Sequence, residues 1–141
     1  METMQNTFTI LKPDTVKAGN AGAVMSQIEK AGFRIRAVKM LHVTEAQARG
    51  SYYVHKERPF FAGLVTFMTE GPVVLMVLEA ENAIERLRKV MGATDPAKAD
   101  AGTIRKLFGT NIERNAIHGS DGPDTAAFEI SYFFSQIEIV K

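Results

Sequence analysis

The sequence contains no cysteine, and only three of its 141 residues are histidine. The absence of cysteine excludes disulfides, cysteine-ligated zinc and thiol catalysis. Three histidines scattered along the chain argue against a histidine-rich metal cage. Neither a cysteine-based zinc site nor a histidine-rich cage is therefore expected.

An excess of charge of one sign is also missing, since 17 basic residues face 16 acidic ones. This balance gives no general electrostatic reason to expect a nucleic acid or membrane surface as partner, although a local basic cluster could still bind a phosphorylated small molecule. No apolar run approaches a membrane span, and residues Met1 to Asn6 lack the pattern of a signal peptide. We expect a cytoplasmic protein.

Glycine-rich phosphate loops are missing as well. The sequence contains no Walker loop and none of the glycine-loop, HRD or DFG motifs of protein kinases. A phosphate-binding role would therefore depend on side chains.

The length and the 45% hydrophobic content predict one domain with its own core, over residues 1–141. Thr44 with Gln47 forms a predicted capping box, and Asn82 and Asp124 are predicted helix caps. Strands are predicted at 7–11, 33–43, 73–78 and 116–118, and helices at 24–31, 44–53, 58–68, 82–91 and 124–134. This order fits an α+β, ferredoxin-like βαββαβ fold, with a four-stranded antiparallel sheet and helices on one face.

The segment from Asn115 to Asp121 carries the candidate reactive group. His118 follows a short apolar pair and precedes a Gly-Ser-Asp-Gly-Pro turn, so we expect its imidazole at the exposed edge of a strand. A neutral imidazole in that place can attack an electrophile, transfer protons or bind a metal. Spacing alone does not choose among these roles, and an ordinary surface histidine is the alternative.

Several other side chains have both a structural and a functional interpretation. Lys12 ends the first strand, either in solvent or facing a cleft, and Phe60 is either core packing or a lid residue. Tyr52 and Tyr53 are adjacent, so we expect one of them to face outward. Arg105 lies in a long loop, 92–111, and loops of that length in a compact domain are often functional.

Six motifs, the His118 segment among them, occur in one order and closely resemble the nucleoside diphosphate kinase family. The resemblance runs from about Thr7 to the end of the chain. The other five are Ile10-Leu11-Lys12-Pro13-Asp14, His55-Lys56-Glu57-Arg58-Pro59-Phe60-Phe61, Gly71-Pro72-Val73-Val74, Met91-Gly92-Ala93-Thr94-Asp95-Pro96 and Gly102-Thr103-Ile104-Arg105.

The resemblance implies a fold, a reaction and partners. It implies a ferredoxin-like fold in which the helical hairpin and the long loop are insertions. The implied reaction transfers the γ-phosphoryl group of a nucleoside triphosphate to a nucleoside diphosphate, by a ping-pong mechanism through phosphohistidine. It further implies Mg²⁺ carried by the nucleotide phosphates, with no metal site built by the protein, and a homo-oligomer.

The resemblance also assigns roles to individual residues. His118 would be the nucleophile, Glu129 the carboxylate bonded to its other nitrogen, and Ser120 the hydroxyl that steadies Glu129. The remaining roles are phosphate binding for Arg88, Thr94 and Arg105, contact with the sugar 3′-hydroxyl for Lys12 and Asn115, lining of the phosphoryl site for Tyr52, and stacking on the base for Phe60 and Ile112.

The sequence departs from the pattern of the family in four places, namely Asp95, the pair Lys106-Leu107, Glu70 and Ala80. We expect Asp95 and Leu107 to alter nucleotide affinity or loop stability without abolishing the reaction. The alternative to an enzyme is a non-catalytic nucleotide-binding regulatory module, since a fold does not fix a function. A nucleic-acid-binding protein is a weaker alternative, because a basic domain charge and an RNP-type aromatic signature are absent.

Overall fold

The computed structural model describes residues 4–141, so the first three residues of the predicted domain lie outside the described part. The strands are β1 (Met4–Leu11), β2 (Arg34–Leu41), β3 (Val73–Glu81) and β4 (Ile117–Gly119). The α-helices are α1 (Pro13–Lys17), α2 (Ala21–Lys30), α3 (Glu45–Ser51), α4 (Phe61–Met68), α5 (Ala83–Met91), α6 (Ile104–Phe108) and α7 (Pro123–Phe133). Short 3₁₀ helices cover Tyr53–His55, Pro96–Lys98 and Gln136–Glu138.

The four strands form one sheet in the order β2-β3-β1-β4, and every neighbouring pair is antiparallel. This topology confirms the predicted ferredoxin-like α+β fold. β3 lies inside the sheet, and its residues from Val73 to Leu78 are all buried. Such a continuous apolar strand is expected where both faces of a sheet are covered.

Two hydrophobic cores lie on opposite faces of the sheet. Val74, Met76 and Leu78 of β3 pack with α2 and α5, which are the two helices of the βαββαβ unit. Val73, Leu75 and Val77 of the same strand pack with α3, α4 and α7. The prediction of helices on one face therefore describes the βαββαβ unit, while the inserted hairpin and the C-terminal helix cover the other face.

The helix ends differ from prediction in three places. Asn82 takes the N-cap position of α5 as predicted, but it has a left-handed φ of 51°, and its side chain donates to Glu85 instead of accepting from a helix amide. Asp124 lies inside the first turn of α7, because Gly122 is the N-cap and Pro123 takes the first helical position, which proline favours. The hairpin helix predicted from residue 58 begins at Phe61.

Two further local features bear on the prediction. The capping box of Thr44 and Gln47 is confirmed, with reciprocal hydrogen bonds of 2.9 and 3.1 Å. Helix α1 was not predicted, although Pro13 at its first position is a common start signal.

Within residues 4–141, no helix combines the length and the apolar character that crossing a membrane requires.

Candidate active site

A cleft of about 630 Å³ opens where the hairpin, the long loop and the end of β4 meet. It contains all but two of the residues that the resemblance assigned to the site. Its lining consists of Lys12, Tyr52, His55, Phe60, Leu64, Arg88, Thr94, Arg105, Ile112, Glu113, Asn115, His118, Gly119 and Asp121. The two others, Ser120 and Glu129, lie behind His118.

His118 is held by its backbone and by one ring nitrogen. It lies in β4, where its carbonyl oxygen accepts a hydrogen bond of 2.6 Å from the Thr9 hydroxyl. Its Nε2 lies 3.0 Å from Oε2 of Glu129. Glu129 therefore orients the imidazole through Nε2. Nδ1 takes no part in this contact.

Glu129 is itself fixed by a second hydrogen bond. It lies two turns into α7, and its side chain is 9% exposed. The hydroxyl of the buried Ser120 donates to its Oε1 at 2.5 Å. Because an ionised carboxylate only accepts hydrogen bonds, this arrangement favours the tautomer of His118 that carries its proton on Nε2.

Two aromatic rings contact His118. The Tyr52 ring meets the imidazole edge to face at a centroid distance of 5.9 Å, and the Phe8 ring does so at 6.4 Å. The Tyr52 hydroxyl is buried and has no hydrogen-bond partner among the described residues. Tyr52 also lines the cleft. Tyr53 is 57% exposed, so one tyrosine of the pair faces outward, as predicted.

Three cationic side chains lie around the cleft. Lys12 is buried, and burial followed by repulsion from Arg105 lowers the pKa of its ammonium to about 8, although Asp14 and Glu113 oppose the shift. Burial and the neighbouring Arg88 likewise lower the pKa of Arg105 to about 10. Both shifts show that the positive charges lack full compensation by the protein, a situation that a bound anion would relieve.

Hydrogen bonds join these groups to the loops. Lys12 Nζ donates to Asn115 Oδ1 at 2.7 Å, and the Asn115 amide donates to the Thr94 carbonyl oxygen at 3.0 Å. Arg105 reaches the backbone carbonyls of Gly92 and Ile117. Its Nε is buried and has no partner within the part of the chain that the structure describes.

The other end of the cleft is apolar and open. Phe60 is 53% exposed and Ile112 is 62% exposed, and both side chains line the same cleft. The His55 ring lies 5.5 Å from that of Phe60, at an angle of 54°. The exposure of Phe60 contradicts its interpretation as core packing and fits a surface that receives a flat ligand.

Comparison with known proteins decides the family. A sequence model described as nucleoside diphosphate kinase matches residues 5–139. The nucleoside diphosphate kinase of Geotalea uraniireducens is 58% identical over 137 residues, which cover 97% of this chain and 100% of that protein. The chain belongs to the nucleoside diphosphate kinase family. This family consists of phosphotransferases, so the prediction of an enzyme is confirmed and the regulatory-module alternative is set aside.

Further relatives agree with this membership. The nucleoside diphosphate kinase of Geobacter sulfurreducens is 56% identical over 97% of the chain and 100% of its own length. The crystal structure of the Aquifex aeolicus nucleoside diphosphate kinase superposes with a TM-score of 0.96, at 45% identity, and covers 98% of this chain and 100% of its own. The Halobacterium salinarum enzyme in complex with CDP gives a TM-score of 0.94 at 39% identity, covering 99% and 93%.

The sequence analysis did not identify several residues of this candidate site. His55, Leu64, Glu113 and Asp121 line the cleft, and Thr9 holds the His118 carbonyl oxygen. His55 and Asp121 stand inside motifs that carry the family resemblance, which was a usable signal. Leu64 and Glu113 offered none, because their place in the cleft follows from how the hairpin packs near the loop.

The four departures from the family pattern lie in different surroundings. Asp95 accepts a hydrogen bond from the Ala97 amide, and Leu107 is 57% exposed. Glu70 forms a two-pronged ion pair with Arg114, and Ala80 is buried in the sheet core. The expected effects of Asp95 and Leu107 on affinity or loop stability stay predictions.

Proposed function

We propose that His118 accepts the γ-phosphoryl group of a nucleoside triphosphate on Nδ1 and passes it to a nucleoside diphosphate. The observation that carries this proposal is the contact of Nε2 with Glu129, because it leaves the lone pair of Nδ1 as the nucleophile. Membership in the family supports the class of reaction.

In the first half-reaction an N–P bond forms at Nδ1 while the bond from the γ-phosphorus to the bridging oxygen breaks. The nucleoside diphosphate leaves with that electron pair. The proton on Nε2 stays in its bond to Glu129, which stabilises the positive charge that the ring acquires during attack. The second half-reaction is the reverse, with a different diphosphate as acceptor.

The cations and donors of the cleft would stabilise the transferring group. Phosphoryl transfer proceeds through a loose transition state with negative charge on peripheral oxygens. Fixed positive charges and hydrogen-bond donors therefore provide most of its stabilisation. We assign phosphate binding to Arg88, Thr94 and Arg105, with the Tyr52 hydroxyl donating at the phosphoryl site. We assign contact with the sugar 3′-hydroxyl to Lys12 and Asn115.

The open end of the cleft would hold the base between Phe60 and Ile112. Stacking uses the face of the ring and reads no hydrogen-bonding edge, so it accepts purines and pyrimidines alike. The exposure of both side chains supports this role. The CDP bound to the Halobacterium relative agrees with a pyrimidine nucleotide as ligand of the family.

A magnesium ion would enter on the phosphates of the nucleotide. No group of three histidine or acidic side chains within residues 4–141 could hold a metal ion. The carboxylates that line the cleft, Glu113 and Asp121, are too few for an octahedral site built by the protein. When bound, the ion would supply positive charge to the phosphate oxygens, beside the charge from Lys12, Arg88 and Arg105.

We also propose that residues 1–141 act as a single domain, in a cytoplasmic homo-oligomer. The resemblance to the family supports this proposal. Light scattering coupled to size-exclusion chromatography measures the assembly, and a monomeric mass at micromolar concentration would contradict it.

Initial-rate kinetics test the proposed reaction. Varying ATP at several fixed GDP concentrations should give parallel double-reciprocal lines, and labelled ADP should exchange into ATP without a second nucleotide. Intersecting lines without exchange would show direct transfer within a ternary complex and would contradict a phosphohistidine intermediate.

A further inference from the structure

Ala116, two residues before His118, has a backbone conformation that alanine rarely adopts. Its φ is +76°, and the Ile117 amide donates to the Asn115 carbonyl oxygen at 2.9 Å across it. These features define a γ-turn of the rare positive-φ kind, which is strained. Among residues 4–141, Asn82 is the one other non-glycine residue with positive φ. Strain of this kind persists only where the surroundings hold the chain in place.

The surroundings hold both polar backbone groups of Ala116. Its amide donates to Oδ2 of Asp14 at 3.0 Å. Its carbonyl oxygen accepts from the Lys12 amide and from the Thr15 hydroxyl, each at 2.9 Å. All three partners belong to one segment, Lys12 to Thr15, at the end of β1 and the start of α1. Ala116 itself is fully buried, so water does not replace these contacts.

The γ-turn lies between two side chains of the proposed site. Asn115 precedes it, with its hydrogen bonds to Lys12 and to the Thr94 carbonyl oxygen. His118 follows it, facing Glu129. A change of φ at Ala116 rotates the chain before the turn relative to the chain after it. The turn therefore sets the position of Asn115 relative to His118.

We propose that Asp14 is a positioning residue that holds the strained Ala116 amide and thereby aligns His118 and Asn115 for phosphoryl transfer. This inference rests on the proposed role of His118. The other carboxylate oxygen, Oδ1, is buried and has no hydrogen-bond partner in the described part of the chain. The bond to Ala116 is thus the hydrogen bond through which this carboxylate acts on its surroundings.

A competing account is that Asp14 acts by charge, because its carboxylate lies close enough to influence the Lys12 ammonium. Two substitutions separate the accounts. Asp14→Asn keeps an acceptor oxygen for the Ala116 amide and removes the charge, whereas Asp14→Ala removes both. Ala116→Gly removes the strain, since glycine adopts positive φ without penalty, and therefore allows the turn to persist without Asp14.

The test compares kcat and nucleotide KM for the wild type, Asp14→Asn, Asp14→Ala, Ala116→Gly and the double variant Asp14→Ala/Ala116→Gly. Asp14→Ala should lower kcat on the order of ten- to a hundred-fold, as small misplacements of reacting groups do. Asp14→Asn should stay within roughly threefold of the wild type, and the double variant should recover to within roughly threefold of Ala116→Gly. Asp124→Ala, an exposed acid in α7, is the matched control and should change nothing.

Three results would overturn the inference: an Asp14→Ala enzyme as fast as the wild type, an Asp14→Asn enzyme as slow as Asp14→Ala, or a folded double variant with no recovery. Circular dichroism establishes whether each variant folds. If Asp14→Ala does not fold, a folded and active double variant still supports the role, and an inactive Asp14→Asn still overturns it. Failure of the proposed function is distinct, because the wild type itself would then form no phosphoenzyme.

Discussion

The two carboxylate oxygens of Glu129 contact different side chains. Nε2 of His118 lies 3.0 Å from Oε2, and the Ser120 hydroxyl donates to Oε1 at 2.5 Å. Ser120 thus fixes the carboxylate, and the carboxylate fixes the imidazole. These two contacts join three residues, from β4, the following turn and α7, into one hydrogen-bonded unit.

Glu129→Gln should lower kcat by about 100-fold or more, with a smaller effect on nucleotide KM. The amide can turn its nitrogen toward Nε2, which favours a proton on Nδ1 and removes the nucleophilic lone pair, and it supplies no charge to the imidazolium. Steady-state kinetics with ATP and GDP measure the change. A kcat within threefold of the wild type would show that Glu129 does not set the tautomer.

Ser120→Ala should have a weaker effect of the same kind, on the order of tenfold in kcat, because Glu129 keeps its contact with His118 but loses the bond that orients it. Ser131→Ala is the matched control, since its hydroxyl donates to the Phe128 carbonyl oxygen on an exposed face. Equal effects of the two substitutions would contradict the chain of contacts.

The reaction should slow above pH 8 in kcat/KM for the nucleotide. Lys12 has a pKa of about 8 in the free protein, so its positive charge is present below that pH and is lost above it. Lys12→Arg should move the decline to higher pH, whatever its effect on the maximal rate. A decline at the same pH in this variant would assign the titration to another group.

The lowered pKa of Lys12 also makes the stability of the fold depend on pH, and here a rise in pH is favourable. Because Lys12 has a lower pKa folded (about 8) than unfolded (10.5), the unfolded chain binds more protons between these values. This lysine therefore destabilises the fold below pH 8, and its contribution becomes less unfavourable as the pH rises to 10.5. Urea unfolding of the wild type and Lys12→Met across this range should show their difference in unfolding free energy shrinking.

Tyr52→Phe should slow the enzyme several-fold without destabilising the free protein. The hydroxyl of Tyr52 is buried and unpartnered, so its removal relieves a desolvation penalty of about 1–3 kcal/mol in the absence of nucleotide. Tyr53→Phe, at an exposed hydroxyl that accepts from Lys56, is the control for both measurements. A Tyr52→Phe protein that unfolds more easily in urea and keeps full activity would contradict a substrate-facing hydroxyl.

Glu70→Ser should raise nucleotide KM by roughly two- to fivefold and leave kcat nearly unchanged. Glu70 accepts two hydrogen bonds from Arg114, and the Arg114 guanidinium lies 4.7 Å from the centre of the Phe67 ring. These contacts connect the loop that carries Ile112 to the end of α4. Such exposed pairs are weak, so the effect should fade at high salt. The double charge reversal Glu70→Arg/Arg114→Glu should restore KM, and Glu45→Ser, which breaks an ordinary pair with Arg49, should not raise it.

Much of the fold could be predicted because local signals agreed with the tertiary structure. The apolar run of β3 and the capping box at Thr44 each act within a few residues. Asn82 is the N-cap that the sequence predicts, but its left-handed φ and the missing side-chain cap bond have no sequence signal, because asparagine is favoured at helix caps and also tolerates a left-handed φ. α1 was missed because five residues give too short a pattern to show periodicity.

The site was predictable where a motif fixed it and unpredictable where packing did. His118, Glu129 and Ser120 were named from the family pattern, and the structure brings them into contact. The strain at Ala116 and its contact with Asp14 have no sequence signal, because alanine is an ordinary residue and its φ is imposed by neighbours about 100 positions away. The lowered pKa of Lys12 also has no sequence signal, because it results from burial of the side chain in the folded protein.

The most direct test of the central claim is transfer of label through the protein. Purified protein is incubated with ATP labelled on the γ-phosphate, freed of nucleotide and then given GDP, beside a His118→Gly control. If His118 is the nucleophile, the wild type acquires an acid-labile, base-stable label and transfers it quantitatively to GDP, and the control acquires no label. A wild type that binds ATP without acquiring label, or a control that is labelled equally, would contradict His118 as the nucleophile.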